Sequence, residues 1–72
     1  MNYVSLDRKA IGLRLYHLFT DSPYTYAEIS ENLGLTTPQV FYDWFEGDKL
    51  PGTERLVNIA LLFGTTLESI LL

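Results

Sequence analysis

Apolar residues recur along this chain at helical spacing, and polar punctuation divides the pattern into five segments. In the first, Ile11, Leu15 and Leu18 stand at i, i+4 and i+7, one face of a helix predicted over residues 6–20. Asp7 lies near its start, where a carboxylate meets the positive end of the helix dipole. Asp21-Ser22-Pro23 ends it, because proline cannot continue the backbone ladder. Thr25 with Glu28 forms the capping box of a second helix carrying Ile29 and Leu33, and Gly34 supplies a left-handed turn after it. A third helix begins at residues 36–39. Either Thr37 caps it with Pro38 at the first helical position, or Thr36 and Gln39 form a capping box. Phe41, Trp44 and Phe45 share its inner face, and Gly47 ends it. After a connector over residues 48–52, a fourth helix starts near Thr53, turns Leu56, Ile59, Ala60 and Phe63 inward, and closes at Gly64. Thr66 caps a last short helix over residues 67–72.

The expected fold is therefore an all-α bundle of five short helices with no strand. No repeat, low-complexity stretch or linker interrupts the pattern, so residues 1–72 read as one domain.

Residues 25–46 have a further logic. The second helix carries an apolar stripe and a small residue, Ser30, where another helix can approach. Gly34 permits a sharp turn, Leu35 plugs it from below, and a capped helix follows at once. This is the helix-turn-helix plan, in which the later helix lies in the DNA major groove and the earlier one crosses the backbone.

Composition removes whole classes of function. The chain has 72 residues and no cysteine, so neither a disulfide framework nor a Cys-based zinc site is open to it. Its one histidine, His17, stands four residues before Asp21, and two ligands do not make a metal site. With no nucleophile–base pairing and no Gly-rich phosphate loop, the sequence argues against an enzyme, and no cofactor is implied. Apolar residues at 47% and charged residues at 19% favour a folded domain over a disordered one. The longest relevant apolar run, residues 59–63, is far short of the ~20 residues a membrane span needs. No cleavable leader pattern precedes it, so the cytoplasm is the expected compartment and no membrane partner is expected. The net charge of −4 disfavours a protein that grips phosphates by bulk charge.

Taken together, the stretch at residues 25–36, Trp44-Phe45-Glu46-Gly47, Pro51 and the run over residues 56–71 resemble the Cro/phage-repressor, or XRE-type, helix-turn-helix family. Tyr3-Val4-Ser5-Leu6-Asp7, Lys9-Ala10, Gly12 and residues 38–44 look like small single-domain XRE-type proteins of Gram-positive bacteria and their phages. The resemblance covers nearly the whole chain. It implies a lambda-repressor-like fold and a transcription regulator that binds double-stranded DNA, the partners of such domains being DNA and a second copy. On that resemblance Thr37, Gln39, Tyr42 and Asp43 are the base readers. Gln39 suits an adenine edge and Asp43 suits cytosine N4. Thr36, Tyr26 and Lys49 are the candidates for phosphate contact.

Two features depart from the family pattern. Asp43, Glu46 and Asp48 place three acids on and after the third helix against one Lys49, and Tyr26 stands where a phosphate-binding Gln is common. Arg8, Lys9 and Arg14 form the one basic cluster, either against DNA backbone or on a solvated face. The first helix also has more apolar surface than a core needs. Adding Phe19, Tyr16 and Leu13 widens its arc to roughly 220°, where ~100° suffices. Leu61 of the fourth helix stands where a polar residue is usual in the family. Leu13, Tyr16, Phe19 and Leu61 are therefore candidates for a homodimer or repressor-partner contact. The expected function is DNA-binding regulation. The alternative is a helix-turn-helix protein that has lost DNA affinity and modulates a repressor by protein contact.

Overall fold

A computed structural model describes residues 5–72. Tyr3 and Val4, which belong to the N-terminal resemblance, lie outside the described residues. The chain forms α1 (Arg8–Thr20), α2 (Tyr26–Asn32), α3 (Val40–Glu46), α4 (Thr53–Phe63) and α5 (Leu67–Leu71), with no strand among the described residues.

Local chemistry accounts for most of these boundaries. Asp7 caps α1, its carboxylate accepting from the backbone N–H groups of Lys9 at 3.1 Å and Ala10 at 3.2 Å. The capping box of α2 is complete. The Thr25 hydroxyl accepts from Glu28 N–H at 3.1 Å, and the Glu28 carboxylate accepts from Thr25 N–H at 2.9 Å. Thr66 caps α5 through Ser69 N–H. Gly34, Gly47 and Gly64 all have positive φ and follow α2, α3 and α4.

The start of α3 differs from expectation. Regular α-helix begins at Val40, and neither Thr36 nor Thr37 is its cap residue. The Thr37 hydroxyl accepts from Gln39 N–H at 3.3 Å, and the Pro38 carbonyl accepts from Phe41 N–H at 3.0 Å. This tighter i→i+3 turn, over residues 38–41, leads the chain into the wider helical ladder.

The core is built on α1. Ile11, Leu15 and Phe19 are fully buried with Ile29, Phe41 and Ile59, and Trp44, Leu33 and Ile70 close it. Phe19 is its aromatic hub. Its ring centroid lies 4.8 Å from Phe41 in an edge-on contact and 5.3 Å from Phe63 in a stacked one. The backbones of α1 and α3 come close at Gly12. A Cβ on Gly12 would lie 2.7 Å from the Phe45 carbonyl oxygen and closer still to that of Trp44. Only a residue without a side chain lets these helices meet there.

Candidate nucleic-acid interface

The turn between α2 and α3 is set by backbone hydrogen bonds. Leu35 N–H reaches back to the Ser30 carbonyl at 2.8 Å, and Gly34 N–H donates to the Glu31 carbonyl at 3.1 Å. These are the two bonds of a Schellman motif, which needs a left-handed residue at its centre. Gly34, at φ 74°, provides it. The buried Ser30 hydroxyl donates to the Ala27 carbonyl at 3.0 Å, so the small residue beneath the turn leaves no polar atom unpaired. Arg55 completes the turn from α4 by donating to the Leu33 carbonyl.

This geometry presents the approach to α3 as a polar edge. Thr36, Thr37, Gln39 and Tyr42 are exposed. Asp43 is partly exposed, and its carboxylate lies 3.9 Å from the exposed Lys49 ammonium. Tyr26 stands apart from this edge. It is half-buried, its ring packs near Phe41 and Phe45, and its hydroxyl shares a 3.0 Å hydrogen bond with Thr20 Oγ1.

Charge placement is unusual for a surface meant to meet phosphates. No lysine or arginine occurs between Arg14 and Lys49, while Asp21, Glu28, Glu31, Asp43, Glu46 and Asp48 all do. Two of the three arginines serve the fold. Arg14 donates to the backbone oxygens of Ile70 at 3.1 Å and Leu72 at 3.2 Å, covering carbonyls at the C-terminal end of α5. Arg55 does the same for α2. The basic cluster expected at Arg8, Lys9 and Arg14 is thus divided: Arg8 and Lys9 remain exposed, while Arg14 is half-buried and engaged with the carbonyls at the end of α5. Sequence reading gave no sign of either clamp, since the partners lie 56 and 22 residues away. The Glu28 carboxyl is held below its ordinary pKa by the hydrogen bonds from the Thr25 backbone and then the Thr25 hydroxyl.

The expected apolar interface is corrected at Phe19. It has no exposed surface, because α3 and α4 close over that side of α1. Leu13 at 56%, Tyr16 at 42% and Leu61 at 74% exposure do stand on the surface. Tyr16 packs edge-on to Phe45 at 5.4 Å, joining α1 to α3. His17 and Asp21 form no ion pair and line a shallow groove beside Leu18, Tyr24 and Phe63. Among the described residues no group of His and acids is placed to hold a metal ion, and no helix is long and apolar enough to cross a membrane.

The fold defined here, an all-α bundle around a helix-turn-helix, recurs in known regulators. The chain resembles the solution structure of the SOS-response transcriptional repressor LexA from Eubacterium rectale, with a TM-score of 0.79 and 21% identity, over 96% of this chain and 74% of that one. It also resembles the crystal structure of the clp gene regulator ClgR from C. glutamicum, with a TM-score of 0.73 and 22% identity, over 93% and 86%. At such identity the likeness is one of fold. No family model and no curated protein matches the chain.

Proposed function

We propose that this chain is a prokaryotic or phage transcription regulator of the XRE type that binds duplex DNA, acting in the cytoplasm without a catalytic role. The reading is carried by the α2–turn–α3 unit, which leads into α3 with the exposed Thr36, Thr37, Gln39 and Tyr42. In this arrangement α3 enters the major groove. Thr37, Gln39 and Tyr42 meet base edges, and Asp43 accepts from cytosine N4. Thr36 and Lys49 meet phosphates, and Tyr26 does so through the hydroxyl it now shares with Thr20. The test is a titration with random duplex DNA at low salt, repeated as salt is raised. Affinity should fall steeply with salt. Absence of binding even at low salt removes this reading.

A second reading is favoured by the charge placement. A segment with six acids and no lysine or arginine over residues 15–48, three of those acids on and just after α3, disfavours phosphates and suits a protein partner. In this reading the domain associates with itself or with a repressor through Leu13, Tyr16 and Leu61. Leu13→Asp and Tyr16→Asp then abolish association while the circular dichroism spectrum stays helical. Unchanged association would remove the α1 surface from consideration.

A further inference from the structure

Four rings from three helices meet at the surface around Phe45. Its centroid lies 5.4 Å from Tyr16 of α1, 5.8 Å from Tyr26 of α2 and 6.3 Å from Tyr42 of α3. Tyr42 is 51% exposed and Tyr16 is 42% exposed, while Phe45 and Tyr26 are half-buried between them. The core is already complete beneath this ridge, with Phe19, Phe41 and Trp44 buried. Covering the outer faces of Tyr16 and Tyr42 therefore needs another molecule. Tyrosine and phenylalanine are enriched at protein interfaces, where they bury large areas at low entropic cost.

The charges around the ridge select the kind of molecule. Glu46 follows Tyr42 by one helical turn on the exposed side of α3. Asp43 and Asp48 flank it, and Lys49 is drawn to Asp43. Lys9 is exposed, with the base of its stem against Gly47 at the end of α3. The stretch that supplies three of the four rings, residues 26–45, contains no cation at all. Ring faces beside carboxylates attract arginine, which stacks on the ring while pairing with the acid.

We propose that the Tyr16–Phe45–Tyr42 ridge is the docking surface for an arginine-bearing segment of a partner protein. This rests on the second, protein-contact reading, and it names the surface and the chemistry of the partner. Tyr42 also belongs to the edge proposed for DNA, so a segment seated on the ridge excludes duplex from α3.

The test uses the full isotope-labelled chain, octa-arginine and octa-lysine peptides, and amide chemical shifts recorded at low salt. Octa-arginine should bind more tightly than octa-lysine, with shifts concentrated at Tyr16, Tyr42, Phe45 and Glu46. Tyr16→Ser and Tyr42→Ser should each weaken it about twofold to fivefold, the range expected for one exposed cation–ring contact. Both positions are exposed, and retained amide dispersion shows that each variant folds. Shifts spread over Glu28, Glu31 and Glu68, equal affinity for the two peptides, or no effect of removing the rings would each overturn the proposal. A parallel titration with duplex DNA reads the DNA proposal separately. Peptide binding without DNA binding keeps the ridge and removes the DNA reading, and the reverse result does the opposite.

Discussion

The α-carbon of Gly12 lies against the backbone carbonyl of Trp44 more closely than any side chain would permit. This contact sets the distance between α1 and α3, and so sets where the helix that leads the helix-turn-helix edge stands relative to the core. The obstacle is backbone oxygen, which cannot swing aside as a side chain can.

Gly12→Ala should therefore destabilise the fold, although alanine is the better helix former by ~1 kcal/mol. Overpacking costs about 1–3 kcal/mol and more where backbone must move. At roughly 4–8 °C per kcal/mol for a domain of this size, a fall in Tm is expected in a thermal melt. A rise in Tm would mean that α1 does not rest on α3 at this point.

Arg55→Ala should cost about 1.5–3 kcal/mol in chemical denaturation, because the Leu33 carbonyl loses a charged donor in a half-buried site. Arg55→Lys should recover only part, since lysine lacks the planar fork. Arg14→Ala acts more locally. Amide exchange should quicken in α5, whose carbonyls it covers, while α2 is unaffected.

Stability should fall in acid partly through Glu28. Its folded pKa lies below the unfolded value, so its contribution is present above the ordinary glutamate range and is lost as pH falls through the folded pKa. Glu28→Gln should flatten the acid limb of the stability–pH curve by removing that titration. An unchanged curve would mean that the capping box adds no pH dependence.

If α3 meets phosphates, Glu46→Lys should raise affinity for duplex DNA. The log–log salt dependence should steepen by about 0.9 for each phosphate contact added. Affinity that does not respond to this change places phosphates away from the α3 exit.

Much of the architecture was legible because its causes are local. Asp7, Thr25 and Thr66 are caps whose partners lie two or three residues on. Gly34, Gly47 and Gly64 close helices through bonds spanning five residues at most. The start of the third helix is not locally encoded: two candidate caps compete there, and a tighter turn takes the chain from Pro38 into Val40.

The candidate site was less legible. Periodicity marks Leu13, Tyr16 and Phe19 alike as surplus apolar residues on the first helix, because a wheel does not say how many neighbours that helix has. Packing by α3 and α4 takes Phe19 into the core and leaves Leu13 and Tyr16 outside.

Caps, glycines and helical spacing thus determine five helices and the turn joining α2 to α3, since each depends on residues within one or two turns. The roles of Arg14 and Arg55, the burial of Phe19 and the grouping of Tyr16 with Phe45 and Tyr42 follow from packing. They join residues far apart in the chain, and no local pattern encodes which backbone oxygen or ring a long side chain will meet once the helices have docked.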